Sequence, residues 1–243
     1  MCTVSFIARK KGYVLAMNRD EKLARVAGLP PSKKMVSGRT IFAPSEPSGG
    51  MWIALNDLGV TFALINWYRI AARVRSQPVS RGGVVNAVST MPSPELAERA
   101  LKELPLGRIN PFRLIGVFPA AKTVIEWQWN LKNLTGKNHP WQTQQWISSG
   151  YDEPTAQQAR GNTFRQAMKQ KSAGSLAWLR RLHRSHSPKS GPFSTCMHRA
   201  DAATVSYTEV VFLGRRGGVK YHGSAPCCAA PCVTQCLKFY SDA

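Results

Sequence analysis

Cys2-Thr3-Val4-Ser5-Phe6-Ile7, followed after a Lys10-Lys11-Gly12 turn by Asn18-Arg19-Asp20-Glu21, are the stretches that decide the fold. Cys2, Val4 and Phe6 alternate with Thr3 and Ser5, which is the periodicity of a strand with two different faces. Residues 13–17 read as a second short strand after the turn. The Asn-Arg-Asp-Glu run is then expected to return beside the N-terminus. Cys2 stands directly behind Met1, and a small residue there permits removal of the methionine. That would place a free amine and a thiol on one residue. An amine of near-neutral pKa can act as base for its own side-chain nucleophile.

Composition sets the outer bounds. The chain has 243 residues, of which 43% are hydrophobic, enough for a substantial core in one domain. No window approaches the roughly eighteen consecutive apolar residues of a membrane span. The N-terminus lacks a charged segment followed by an apolar one, so it reads as a first strand and a cytoplasmic location is expected. Lys and Arg number 33 against 13 Asp and Glu, a net charge of +20 that favours anionic partners. The basic residues are spread along the chain, and only residues 178–189 are locally dense. No helix-turn-helix, zinc-finger or RNP signature accompanies them, which argues against nucleic acid. The six cysteines are Cys2, Cys196, Cys227, Cys228, Cys232 and Cys236. Without a secretory signal their even number does not argue for a disulfide framework.

Along the chain, residues 27–37 read as a loop through Gly28-Leu29-Pro30-Pro31, and residues 39–43 as a strand. Residues 49–56 and 60–67 form the clearest hairpin, turning at Asp57-Leu58-Gly59. Their nearly continuous apolar character predicts strands covered on both faces. Helices are predicted over residues 80–91 and 96–104, the latter with Ser93 as N-cap and Pro94 at the first helical position. Residues 113–118 and 123–129 form another hairpin, and 141–147 a further strand. Helices over 152–171 and 174–186 precede strands over 203–213 and 219–222. Hairpins at both ends with helices between them indicate a single α+β layered domain over residues 1–224. Residues 225–243 read as a Cys-rich tail.

Met1-Cys2-Thr3, Asn18-Arg19-Asp20-Glu21, Trp52-Ile53-Ala54-Leu55-Asn56 and Leu64-Ile65-Asn66-Trp67 occur in that order. His198-Arg199 and Ala203-Thr204-Val205-Ser206 follow late in the chain. Together these blocks, spread over residues 2 to about 222, resemble the NRDE family, also called transport-and-Golgi-organisation-2-like. That family is similar to the N-terminal-nucleophile hydrolases that include penicillin V acylase and bile salt hydrolase. The resemblance implies a four-layer αββα sandwich and cleavage of a non-peptide amide or related acyl bond. It implies Cys2 as nucleophile, Asp20 as the carboxylate that holds the terminal amine, and Asn66 as oxyanion donor. Arg199 matches a late arginine that supports the nucleophile. Asn18, Trp67 and Ser149 are assigned to substrate contact. Two positions depart from the acylases: Met17 stands where they have an arginine, a role Arg19 would fill from a shifted position, and Ser148-Ser149 stand near an asparagine.

The residues themselves offer further candidates. Asn66 is a polar residue in an apolar strand and needs a partner or a task. Asn56, ahead of Asp57-Leu58-Gly59, reads as turn chemistry. Ser80-Arg81-Gly82-Gly83 reads as a helix start where backbones approach closely, with anion binding secondary. Cys228, Cys232 and Cys236 are spaced by four, and His222 offers a fourth zinc ligand, but Pro231 argues against a regular helix there. His183 and His186 read as surface residues. No metal or cofactor is assigned. The leading expectation is therefore a cysteine hydrolase of a small amide or acyl substrate. The alternatives are a carrier of haem or another ligand on the same scaffold, and a basic anion-binding protein.

Overall fold

The N-terminal hairpin forms as its alternation predicts, and the rest of the chain is layered on it. The computed structural model describes residues 2–228 and 234–240, and of 234–238 and 240 only the backbone. Strand β1 (Cys2–Arg9) pairs antiparallel with β2 (Gly12–Lys22). Gly12 (φ 139°) is required at the turn, because a Cβ there would lie 2.0 Å from the Phe212 carbonyl oxygen. Then come β3 (Leu29–Val36), β4 (Arg39–Ser45), β5 (Ile53–Asn56), β6 (Thr61–Asn66), α1 (Gly82–Val88) and α2 (Pro94–Lys102). They are followed by β7 (Phe112–Phe118), β8 (Thr123–Trp129), β9 (Leu134–His139), β10 (Gln144–Ser148), α3 (Glu153–Met168) and α4 (Leu176–Arg184). The last strands are β11 (Ala202–Leu213), β12 (Arg216–His222) and β13 (Thr234–Tyr240).

The strands form two antiparallel sheets. One runs β10-β1-β2-β11-β12-β13 and the other β3-β4-β5-β6-β7-β8-β9 in sequence order. Their facing sides enclose one core, in which Val4, Phe6, Leu15 and Met17 meet Ile53, Leu55, Ala63 and Ile115. A second core packs Val84, Val85, Val88 and Leu101 of α1 and α2 on the outer side of the seven-stranded sheet, against Phe62 and Leu114. A third packs Trp178, Leu179 and Leu182 of α4 on the outer side of the six-stranded sheet, against Ile7, Val14 and Ala16. The architecture is thus the four-layer αββα sandwich, and both central strands are covered on both faces. Among the described residues no helix is long and apolar enough to cross a membrane.

Three elements differ from the sequence reading. Residues 29–36, expected as a loop, form the edge strand β3. Its register slips between Leu29 and Ser32, around Pro30-Pro31, and prolines without an N–H are at home on an edge or a bulge. Strand β9 is the opposite edge of the same sheet, and its mostly exposed Thr-Gly-Lys-Asn centre carries no apolar alternation. Residues 234–240, expected within a tail, pair with β12 as an edge strand, where Phe239 stacks on Phe42 with ring centroids 4.8 Å apart. Cys232 lies outside the described residues, as does the side chain of Cys236.

A buried polar network joins the two sheets where β7, β8, β9 and β10 converge. Arg113 donates to Glu126 and, at 3.1 Å, to the Ile147 carbonyl oxygen. His139 Nε2 lies 2.9 Å from Glu126 and Trp146 Nε1 donates to it at 3.3 Å. Burial alone would raise the Glu126 pKa, but the charge and hydrogen bonds of Arg113 outweigh it and hold the carboxyl below its ordinary 4.5. A depressed carboxylate contributes stability that is complete above the ordinary value and disappears as pH falls through the folded value. Glu126→Gln should therefore be less stable than the parent at neutral pH. The difference should shrink as pH falls below 4.5, as read by urea unfolding across that range.

Candidate active site

Period-two alternation on β1 and β2 sorts the candidate residues onto two faces. Cys2 pairs with Arg19, Val4 with Met17 and Phe6 with Leu15, all on the side toward the second sheet. Thr3, Ser5, Asn18 and Asp20 belong to the opposite side, toward α3 and α4. Cys2 heads the strand between Arg19 of β2 and Ser148 of β10. It lines a cleft of about 340 Å³ between the two sheets, together with Arg19, Asp20, Trp52, Asn66 and Arg81.

The cleft wall is electrostatically balanced around Arg19. Its guanidinium lies 4.5 Å from the centroid of the Trp52 ring and 2.9 Å from Glu46, with Glu21 at 3.5 Å. Arg25 pairs with the same two carboxylates at 2.9 and 2.7 Å. Arg81, also on the cleft, donates to the Pro111 carbonyl oxygen at 3.2 Å. Among the described residues no carboxylate lies within salt-bridge distance of Arg81. Gly82 touches Gly50 beside it, where a Cβ would lie 2.6 Å from the Gly50 Cα. The Ser80-Arg81-Gly82-Gly83 stretch thus makes the close backbone approach that its glycines suggest.

Asp20 is held from behind. It is 1% exposed and accepts from Thr204 Oγ1 at 2.7 Å and from Arg160 Nη1 at 3.2 Å. Arg160, on α3, is fully buried and also donates to Thr3 Oγ1 at 2.8 Å and to the Pro192 carbonyl oxygen at 3.3 Å. A bulge in β11 between Thr204 and Ser206 lies opposite Asp20 and Arg19, so the strand is re-aimed at this point. Burial pushes the Cys2 thiol pKa up, and the Asp20 charge adds to that. The Asp20 backbone N–H and the Arg19 charge oppose it without overcoming it.

Asn66 closes the cleft from the second sheet. Its side-chain amide donates to the Tyr68 hydroxyl at 2.8 Å, and its carbonyl oxygen accepts from Ser148 Oγ at 2.5 Å. An amide nitrogen carries two protons, so one N–H remains for another acceptor.

The fold therefore gathers Cys2, Arg19, Asp20 and Asn66, and places the other candidates elsewhere. Asn18 is buried on the helix side, where its amide donates to the carbonyl oxygens of His183 (2.9 Å) and Thr195 (2.8 Å). Trp67 donates its backbone N–H to Pro111 and lies outside the cleft lining. Ser149 is buried next to Ser148 and accepts from the Tyr151 N–H at 3.4 Å. Arg199 lies 4.6 Å over the Tyr151 ring and pairs with Asp201 at 2.7 Å, outside the cleft. Asp20 accepts from a different arginine, Arg160, which sequence reasoning did not single out. Its helix has a weak apolar stripe, in which Ala156, Phe164 and Ala167 are the residues packed inward. His183 is buried, with its ring between Asn18 (3.0 Å) and Ser5 (2.9 Å), and burial pushes its pKa down to about 3.

Two facing antiparallel sheets between helical layers, with a cysteine at the head of a central strand, define the N-terminal-nucleophile hydrolase fold. The chain belongs to the Transport and Golgi organisation 2 family, whose model matches residues 1–189. Among solved structures it is similar to penicillin V acylase from Agrobacterium tumefaciens, with 10% identity and a TM-score of 0.56 over 92% of this chain and 83% of that one. It is also similar to the C2A mutant of conjugated bile acid hydrolase from Clostridium perfringens, with 10% identity and a TM-score of 0.52 over 90% and 89%. No curated protein matches the sequence.

The Arg160–Asp20 pair makes a direct prediction. Arg160→Met removes the buried guanidinium that donates to Asp20 and should cost about 3–5 kcal/mol. Adding Asp20→Asn should recover much of that loss in a double-mutant cycle read by chemical denaturation.

Proposed function

We propose that this chain is an N-terminal cysteine hydrolase of a small, non-peptide amide or related acyl substrate. The observation that carries the proposal is that Cys2 of the first sheet and Asn66 of the second line one cleft, with Asp20 on the strand paired with that of Cys2. The reaction requires removal of Met1. The Cys2 α-amine then takes the thiol proton as sulfur attacks the acyl carbon. Because the amine removes the proton as sulfur attacks, the reaction needs no standing thiolate. Asn66 donates its remaining amide N–H to the tetrahedral oxyanion. The protonated amine passes its proton to the leaving nitrogen, the C–N bond breaks and a thioester remains. Water, deprotonated by the same amine, hydrolyses the thioester and regenerates the thiol.

Arg19 is matched by Glu21 and Glu46, whereas Arg81 reaches the cleft with no carboxylate of its own among the described residues. A substrate bearing a carboxylate or similar anionic group suits that arrangement, because a guanidinium binds such groups through paired hydrogen bonds.

A β-lactone acylating probe followed by peptide mapping tests the nucleophile. The probe should label Cys2 in chains that have lost Met1, and Cys2→Ala should abolish both labelling and turnover. Turnover that persists in Cys2→Ala sinks the proposal. Asn66→Ala should lower kcat by about 100–1,000-fold, the usual effect of deleting one oxyanion donor. Arg81→Ala should raise KM for anionic substrates and leave neutral analogues unchanged; steady-state kinetics with a matched pair of substrates separates the two.

A further inference from the structure

Away from the cleft, two thiols and two imidazoles converge. His186, Cys196 and His198 come from the connection between α4 and β11, and Cys227 from the segment after β12. Their ligand atoms all lie within 4.8 Å of one another. Cys196 Sγ lies 3.4 Å from Cys227 Sγ and 3.6 Å from His198 Nε2. His198 Nε2 lies 3.3 Å from Cys227 Sγ and 3.2 Å from His186 Nε2. Neither cysteine is in a disulfide.

We propose that these four side chains form a structural zinc site of the Cys₂His₂ type. A tetrahedral zinc, about 2.3 Å from sulfur and about 2.0–2.1 Å from nitrogen, holds its ligand atoms about 3.3–3.8 Å apart. Four of the six ligand-atom separations fall in or within 0.1 Å of that range, and the two from His186 to the sulfurs are no longer than 4.8 Å. Two thiolates and two neutral imidazoles give zinc a closed, charge-neutral shell, and the mixed soft and borderline donors favour zinc over magnesium or calcium. Convergence on one point suits a single ion, because a two-iron cluster would place the imidazoles and the thiolates on different irons. Binding releases the two thiol protons to solvent.

The position gives the ion a mechanical task. The backbone N–H groups of Cys196 and His198 donate to Ser185 and Gly191, so the ligand loop is already folded back on itself. Met197, between two ligands, exchanges hydrogen bonds with Thr204: its N–H donates to Thr204 Oγ1 at 2.8 Å, and its carbonyl oxygen accepts from the Thr204 N–H at 2.8 Å. That same hydroxyl donates to Asp20. Zinc would tie the segment after β12 to the loop that backs the aspartate. Sequence spacing offers a different set, Cys228, Cys232 and Cys236 with His222, and reads His183 and His186 as surface residues. In the structure His183 is buried against Asn18, and His222 Nδ1 faces Ser224 at 3.2 Å.

The test uses the full chain, purified without a polyhistidine tag, and elemental analysis for zinc. About one zinc per chain is expected. After chelation and reconstitution with Co²⁺, tetrahedral visible bands and charge-transfer intensity for two thiolates are expected. Cys196→Ser and Cys227→Ser should lose the metal, and Cys228→Ser should keep it. If the serine variants fail to fold, the cobalt spectrum of the parent decides. Intensity for any number of thiolates other than two overturns the proposal. So does metal binding that survives loss of Cys196 and Cys227, or a metal-free protein with a Cys196–Cys227 disulfide in its peptide map.

Discussion

The register of β1 against β2 is the constraint on which the rest of the molecule depends. Successive side chains on a strand face opposite ways, so one pairing fixes the surroundings of every residue in the hairpin. Cys2 opposite Arg19 sends both toward the second sheet, along with Val4, Phe6, Leu15 and Met17. Thr3, Ser5, Asn18 and Asp20 are sent to the helical side, where Arg160 and His183 meet them. A slip of one residue would bury Arg19 among the helices and turn Asp20 toward Trp52. The buried polar groups on both faces make that slip costly, since each would lose its partners.

Charge is handled differently inside and outside. The surface carries most of a net +20, while the interior admits arginines only with a carboxylate or a set of carbonyl oxygens. Arg160 has Asp20, Arg113 has Glu126, and Arg19 has Glu46 and Glu21. These pairs sit at joints: α3 to the first sheet, the second sheet to β10, and the two sheets at the mouth of the cleft. Removing one partner of such a pair strands the other, which makes the joints specific as well as stable. Arg81, which lines the cleft, has the Pro111 carbonyl oxygen and, among the described residues, no carboxylate within salt-bridge distance.

Much of the architecture was legible in the chain. Alternation marked β1 and β8, hairpin turns marked their partners β2 and β7, and Ser93-Pro94 marked the start of α2, where Ser93 Oγ accepts from the Leu96 N–H. The edges were not legible. The residues of β3 and β9 have few side chains to bury, and Pro30-Pro31 look like a loop unless a neighbouring strand is known to supply the pairing. Cys2, Arg19, Asp20 and Asn66, which line one cleft, belong to compact local motifs that stand out in the sequence. Arg160 was not, because it lies 140 residues from Asp20 in sequence and on a helix without a clear apolar stripe. Arg199 sits in a plausible late block, yet its guanidinium turns to Tyr151 and Asp201.

The sequence by itself determined the hairpin, the α+β character of the chain and the position of a cysteine at the head of the first strand. Those follow from local periodicity and turn chemistry, which act between near neighbours. Only the tertiary structure decided which polar residues share a face of the cleft, which arginine backs Asp20, and that His186 and His198 meet Cys196 and Cys227. Such meetings depend on sheet order and helix placement across many residues. Spacing along a chain carries no information about an approach that is closed by packing elsewhere.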